Sequence, residues 1–313
     1  MKKIIAKSVL LIALVLCCTL IINTIYVNNA GYGDDIDKFN AIPDDITICN
    51  FGSSHGRYGF NYSDVSDEYN CFNFAMSSQS LSYDDRILNT YKDHLKDNDC
   101  KVFITISYFS LYGKPETEAD DFASKNMRYY SFLPRSEIKD WNMKFFIISK
   151  YPSLTAYQAL PCNLFKQKGK SKDTYWNGCA TDIDIEKDAL EACERHLVKN
   201  KRDKNGNLID NKEEKNALLD MISICRSKGD TPILITTPYL EEYNDAIEKK
   251  YPHFFDKFSK DVTSLAAQNG VEYLDYSHDE RFTQDKDVFM NSDHLNRKGA
   301  KKFTNIILRE IKQ

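Results

Sequence analysis

Two short motifs bring together residue types that can do chemistry. A strand-like run, Ile46-Thr47-Ile48-Cys49-Asn50-Phe51, ends in Gly52-Ser53-Ser54-His55-Gly56, and Asn291-Ser292-Asp293-His294-Leu295-Asn296 lies just before Gly299 and a last helical stretch. A serine hydroxyl is a poor nucleophile until a base within hydrogen-bond reach takes its proton. Histidine is the side chain best suited to that task near neutral pH. Ser54 as nucleophile and His294 as base is therefore the pairing to expect, and its chemistry is acyl transfer or hydrolysis through an acyl-serine. The glycines around Ser54 permit a tight turn, and N–H groups at a helix start can stabilise an oxyanion. His55 adjoins Ser54, but a side chain at the next position of a helix start points elsewhere, so a positioning or substrate-contact role is the most it is expected to have.

These residues need a scaffold, and the rest of the chain reads as one. Residues 46–51, 69–75, 101–106, 232–236 and 271–276 read as strands. Residues 83–96, 213–228, 254–269 and 297–312 read as helices, two of them stopped by Gly229 and Gly270. Strand–helix alternation implies a parallel sheet covered on both faces, a three-layer α/β/α fold. If 46–51 is the first strand, Ser54 falls at the carboxyl end of the sheet, where open α/β folds form their sites. Residues 110–212 interrupt the alternation. They contain Trp141, Trp176 and helix-like segments at 143–149 and 154–160 on either side of Pro152, and read as a mainly helical or irregular insertion packed beside the core, over or near the site.

The amino terminus is a second signal. Lys2, Lys3 and Lys7 precede an almost wholly apolar run from Ser8 to Ile22, and apolar character resumes through Val27. About 20 such residues suffice to cross a bilayer, and residues 4–27 are expected to do so. The lysines on one side and Asp34, Asp35 and Asp37 on the other predict a cytoplasmic amino terminus. An uncleaved signal anchor over residues 1–29 is expected, with one extracytoplasmic domain over 30–313. Beyond residue 29 the formal charge is −7, which excludes a broad basic face for nucleic acid. Nine cysteines include Cys17 and Cys18 in the apolar run. A disulfide among Cys162, Cys179 and Cys193 is compatible with an oxidising compartment. No cysteine or histidine array has structural zinc spacing, and no cofactor is expected.

The two motifs resemble blocks I and V of the SGNH/GDSL hydrolase superfamily, with Gly52-Ser53-Ser54 in place of Gly-Asp-Ser and Asn291-Ser292-Asp293-His294 in place of Asp-x-x-His. The chain is most similar to the membrane-anchored DltD-like subgroup, which often begins Gly-Ser-Ser and ends His-Leu-Asn-x-x-Gly, as His294 to Gly299 does. The resemblance implies a flavodoxin-like α/β/α fold over roughly residues 44–313. It implies an acyltransferase or esterase acting on a cell-wall or exported polysaccharide, beside a membrane-bound O-acyltransferase. The triad's acid position is Asn291 here, with Asp293 and Asp275 as the other groups that could orient His294. Block II implies an oxyanion N–H near Ser77 or Ser78. Block III's asparagine is absent from Ser107-Tyr108-Phe109-Ser110. These departures also admit a reading of another class, a catalytically weak SGNH-fold polymer-binding or scaffold protein.

Overall fold

Five short runs rich in β-branched and aromatic residues pair into one parallel sheet. They are β1 (Ile48–Phe51), β2 (Cys71–Asn73), β3 (Lys101–Thr105), β4 (Thr231–Thr236) and β5 (Glu272–Asp275), in the order β2-β1-β3-β4-β5. The computed structural model describes residues 1–30, 34–118, 122–154, 175–198 and 201–311. Cys49 of β1 lies opposite Phe72 on one side and Val102 on the other, which fixes the central register. All of β1 is buried, as are all but the first residues of β3 and β4, whereas the edge strands β2 and β5 keep no fully buried residue. That contrast is the one expected of a parallel sheet covered on both faces. The edge strands are also shorter than the sequence pattern suggests.

Helices connect and cover the strands. The short α2 (Ser54–Gly59) follows β1, α3 (Leu81–Tyr91) follows β2, and α6 (Lys212–Ser227) precedes β4. Between β4 and β5 lie α7 (Glu241–Lys250) and α8 (Phe254–Gln268), and α9 (Arg297–Glu310) closes the chain. Ala300, Phe303, Ile307 and Leu308 of α9 join Ile48, Phe103, Ile233 and Ile235 in one core cluster. Strand alternation sends the neighbouring residues to the opposite face, where the Cys49 and Cys100 sulfurs meet at 3.9 Å. The helix starts are set by local chemistry. The Asn211 side chain accepts from the Glu213 and Glu214 N–H groups at 3.1 and 3.2 Å, and Asn296 accepts from Gly299 N–H at 3.0 Å, each satisfying amides that lack helical partners.

The insertion contributes two longer helices, α4 (Met143–Lys150) and α5 (Ile185–Leu197). The expected helix at 154–160 lies, beyond Leu154, outside the described residues, as does Cys162. The remaining cysteines are free thiols, so no disulfide joins Cys179 to Cys193. The amino-terminal helix α1 (Lys2–Ala30) is long and apolar enough to cross a membrane. Contacts group residues 1–41 with 121–172 as one unit, and 42–120 with 173–313 as the other. The first half of the insertion therefore groups with α1, and the second half, including α5, with the sheet.

Gly299 sits in the first turn of α9, where an added Cβ would collide with the Val288 carbonyl. Gly299→Ala should destabilise the fold by about 1–3 kcal/mol, read as a lowered urea midpoint for the detergent-solubilised chain; an unchanged midpoint would show that this segment yields without cost.

Candidate active site

The order β2-β1-β3 reverses the direction of strand addition at β1, and loops leaving β1 and β3 diverge at such a switch point. The loop after β1 carries Ser54, and the loop after β3 carries Ser107. Gly52 makes the sharp exit from β1 with φ of 134°, a conformation that L side chains rarely adopt. Its N–H donates to Asp84 Oδ1 at 2.9 Å. The Asn73 amide donates to the Arg57 carbonyl at 3.1 Å, and the Asn50 amide to the Gly56 carbonyl at 3.0 Å, holding the short α2 to β1 and β2. Ser54 begins α2, half-buried.

His294 arrives from the other end of the sequence. Its Nε2 lies 2.8 Å from Ser54 Oγ, so the hydroxyl donates to a ring nitrogen that carries no proton. The proton then resides on Nδ1, which faces two oxygens. Asn291 Oδ1, at 3.1 Å, lies in the direction of the N–H. Asp293 Oδ1 is as near, at 3.0 Å, but off that direction, so it supplies charge without a well-aligned bond. The turn is tight because Asn291 Oδ1 also accepts the His294 backbone N–H at 2.9 Å. Asn291 and Asp293 thus both reach the imidazole, although neighbouring side chains usually diverge. Asp275 does not: its carboxylate accepts from the Ser277 N–H and hydroxyl at 3.0 and 2.6 Å.

His55 is placed differently from a substrate-contact residue. It is 2% exposed, and it turns away from Ser54 into the interior. Its Nε2 donates to Asp293 Oδ2 at 3.1 Å, and its Nδ1 accepts from Ser107 Oγ at 2.8 Å, with the Tyr239 hydroxyl at 3.2 Å. Ser53 Oγ meets Ser107 Oγ at 3.2 Å. Ser107, on the loop after β3, therefore belongs to the hydrogen-bond network around Asp293. Burial pushes the His55 pKa down to about 4 against the opposing pull of Asp293, so the ring is neutral at pH 7. Burial alone would raise the Asp293 pKa, but the electrostatic influence of the adjacent His294 and the hydrogen bond from His55 outweigh it and hold the carboxyl well below its usual range.

Two residues of this site escape sequence reasoning. His196, on α5, brings Nδ1 to 3.6 Å from Asp293 Oδ2 and 2.9 Å from the Tyr243 hydroxyl. Asp188, two turns earlier, accepts from the Ser292 N–H at 2.9 Å and hydroxyl at 2.6 Å, fixing the turn that carries His294. The available signal is the spacing of Ile185, Ala189, Ala192, Cys193 and Leu197, an apolar stripe whose flank carries His196. Among the described residues, His55, Asp293 and His294 each offer one ligand atom within 4.8 Å of the others, a set a divalent ion could use. The 3.1 Å separation of His55 Nε2 and Asp293 Oδ2 is that of a direct N–H···O hydrogen bond, and His294 Nδ1 lies 3.0 Å from Asp293 Oδ1.

The expected oxyanion residues lie on the loop after β2. Met76 N–H and the Gln79 amide donate to the Gly52 carbonyl at 3.2 and 3.4 Å, tying this loop to the nucleophile turn. Between them Ser77 is half-buried, and Ser78 is exposed in the left-handed region with φ of 55°. Such strain concentrates at functional sites. The Arg57 guanidinium reaches Ser77 Oγ at 3.4 Å.

No protein-family model matches the chain, and no curated protein does. Solved structures similar to it include a candidate acylhydrolase from Bacteroides fragilis NCTC 9343, at 10% identity and TM-score 0.42, covering 89% of this chain and 94% of that one. A candidate platelet activating factor from Streptococcus pneumonia shares 11% identity at TM-score 0.43, covering 95% and 99%. A catalytic mutant of an acetylxylan esterase from Geobacillus stearothermophilus shares 11% at TM-score 0.37, covering 86% and 95%. Likenesses this distant carry no weight beside the geometry of the site.

Two outcomes follow from that geometry. Asp293→Asn should slow labelling of Ser54 by a fluorophosphonate about 10³–10⁴-fold, because the charge facing the imidazolium is lost. Asn291→Ala should slow it about tenfold, the worth of one orienting hydrogen bond; the reverse ranking would make Asn291 the principal partner. Separately, a pKa lowered on folding means that the unfolded chain takes up a proton which folded His55 refuses. Stability from His55 is present above about pH 6.5 and falls as the pH drops toward 4, by about 3 kcal/mol in all. His55→Gln should flatten the pH dependence of urea unfolding in that window, and equal slopes would count against the assignment.

Proposed function

We propose that this chain is a membrane-anchored serine enzyme of acyl esters, an O-acyltransferase or esterase acting on a cell-surface or exported polysaccharide through an acyl-serine intermediate. One observation carries the reading: Ser54 Oγ bonds His294 Nε2 at 2.8 Å while Nδ1 of the same ring faces Asn291 and the buried carboxylate of Asp293. That is the arrangement of an activated nucleophile, its base and the groups that orient the base.

In this reading Ser54 Oγ attacks the carbonyl carbon of an acyl donor as its proton passes to His294 Nε2. The imidazolium is stabilised by Asp293 and held in register by Asn291. Backbone N–H groups at the Ser54 turn and near Ser77 and Ser78 hold the developing oxyanion. Collapse of the tetrahedral adduct breaks the bond to the leaving group, which takes the proton from Nε2 and departs. An acceptor hydroxyl then gives its proton to Nε2 and attacks the acyl-serine carbonyl, and collapse of this second adduct breaks the acyl–Oγ bond as Ser54 Oγ takes the proton back from Nε2. A sugar hydroxyl as acceptor gives transfer, and water gives hydrolysis.

The aromatic surroundings favour a sugar. The Tyr58 ring stands edge-on to His294 at 5.6 Å, and Trp176 lies 6.0 Å from Tyr58, beneath the Arg297 guanidinium. Half-buried Trp176 and the charged Arg297 beside it suit the mixed apolar and hydroxylated surface of a carbohydrate. Lysines in the first two turns of α1 and aspartates after it support a single-pass anchor with the site outside the cytoplasm. The acyl donor would come from a membrane-bound O-acyltransferase partner, as the resemblance implies.

Intact-mass and peptide mapping after fluorophosphonate treatment of the full chain should give one adduct, on Ser54. Ser54→Ala should remove it, and His294→Ala should slow it by about 10³-fold or more without loss of fold. A well-folded chain that takes no adduct would point instead to the polymer-binding or scaffold alternative.

A further inference from the structure

The helix α1 carries one strongly polar side chain deep in its apolar sequence. Asn23 stands in Leu20-Ile21-Ile22-Asn23-Thr24-Ile25 and is 8% exposed. An amide in such a position is costly in hydrocarbon unless it is hydrogen-bonded, and here it is bonded at both ends. Asn23 Nδ2 donates to the Lys150 carbonyl at 3.0 Å, one of the last carbonyls of α4 that the helix itself leaves unsatisfied. Asn23 Oδ1 accepts from Ser153 Oγ at 2.9 Å and from Ser153 N–H at 3.4 Å.

The segment clamped in this way is apolar. The helix α4 reads Met-Lys-Phe-Phe-Ile-Ile-Ser-Lys, and none of its side chains is fully buried. Met143 is 56% exposed and Ile147, one turn on, 42%; Leu154, in the turn Pro152–Leu154, is 53% exposed. Residues four apart share a helix face, so Met143 and Ile147 form one apolar edge. Trp141 precedes the helix, with the Arg135 guanidinium 4.2 Å from its ring centre and Tyr130 and Phe146 beside it. Aromatic and basic residues around an apolar edge are the composition of a membrane–water boundary.

The position of Asn23 says what covers that edge. A hydrocarbon core of about 30 Å takes about 20 helical residues, which Ser8 to Val27 supply. Asn23 then lies about 6 Å inside the far boundary, at 1.5 Å per residue. Whatever hydrogen-bonds to its side chain sits at that depth. Resting on the anchoring reading above, we infer that residues 141–154 lie in the outer headgroup and upper acyl layer of the bilayer, with Met143, Ile147 and Leu154 in contact with lipid and Asn23 as the clamp. The partner is the lipid surface, in the manner of an in-plane helix, and α1 with this segment forms one membrane-seated element.

The test uses the full chain in vesicles of phosphatidylcholine brominated either high on the acyl chain or near its end. Trp141 emission, taken as the part lost in Trp141→Phe, should fall with the shallow bromines and much less with the deep ones. Met143→Asp combined with Ile147→Asp, both exposed positions, should abolish that fall while the chain still resists alkaline extraction. Chain that resists extraction but shows no Trp141 quenching would overturn the inference and leave the anchor intact; a protein partner on this face gives that result, since the vesicles contain none. Chain released by alkali would overturn the anchor and the inference together. Unchanged quenching in Asn23→Leu would overturn the clamp.

Discussion

One buried carboxylate organises the candidate site. Asp293 is 1% exposed and ionised, and an ionised carboxyl survives such burial only where donors surround it. His294, His55 and His196 converge on it from a loop, a nucleophile turn and an insertion helix. Each of those elements is therefore constrained by the same charge. Displacing any one leaves the carboxylate under-compensated, so the elements that bring the imidazoles are coupled even where they do not touch. Asn291 aligns the His294 ring, and the charge beside that ring comes from Asp293, two positions further along the turn.

The sheet provides the rigidity this arrangement needs. Both serines that matter, Ser54 and Ser107, leave adjacent strands at the point where strand order reverses, so their separation is set by the β1–β3 register. The loop between β5 and α9 is fixed from two directions. Asp188 grips Ser292, and the Asn296 amide donates to the Asp287 and Phe289 carbonyls at 2.9 and 3.2 Å. With Asn291 Oδ1 accepting from both the His294 backbone N–H and its ring Nδ1, the turn and the imidazole are held together.

The strands, most helices and the two end motifs are legible because they are local: periodicity, glycine stops and turn residues act within a few positions. Ser54 and His294 could be paired because their motifs have a known order. His196 could not, since nothing within its own stretch points to Asp293, and the contact depends on how α5 docks. His55 shows the limit differently. Its side chain does turn away from Ser54, but the direction it turns toward is a tertiary fact. The choice between Asn291 and Asp293 depended on the pitch of a four-residue turn, which spacing alone does not specify. The grouping of α1 with residues 121–172 was hidden because Asn23 reads as a blemish in an apolar run until its partners, 127 and 130 residues away, are seen.

The Ser54–His294 bond spans 240 residues of sequence. Closing a loop of that length costs about 5 kcal/mol in chain entropy, and no short-range interaction can hold the pair together by itself. Only the completed sheet and its closing helix bring the two ends into register. A chain in which the sheet and closing helix have not come together therefore lacks the Ser54–His294 contact. Under the proposed function the Ser54 hydroxyl gains its base only in the completed fold, so folding itself would gate the reactivity of the serine.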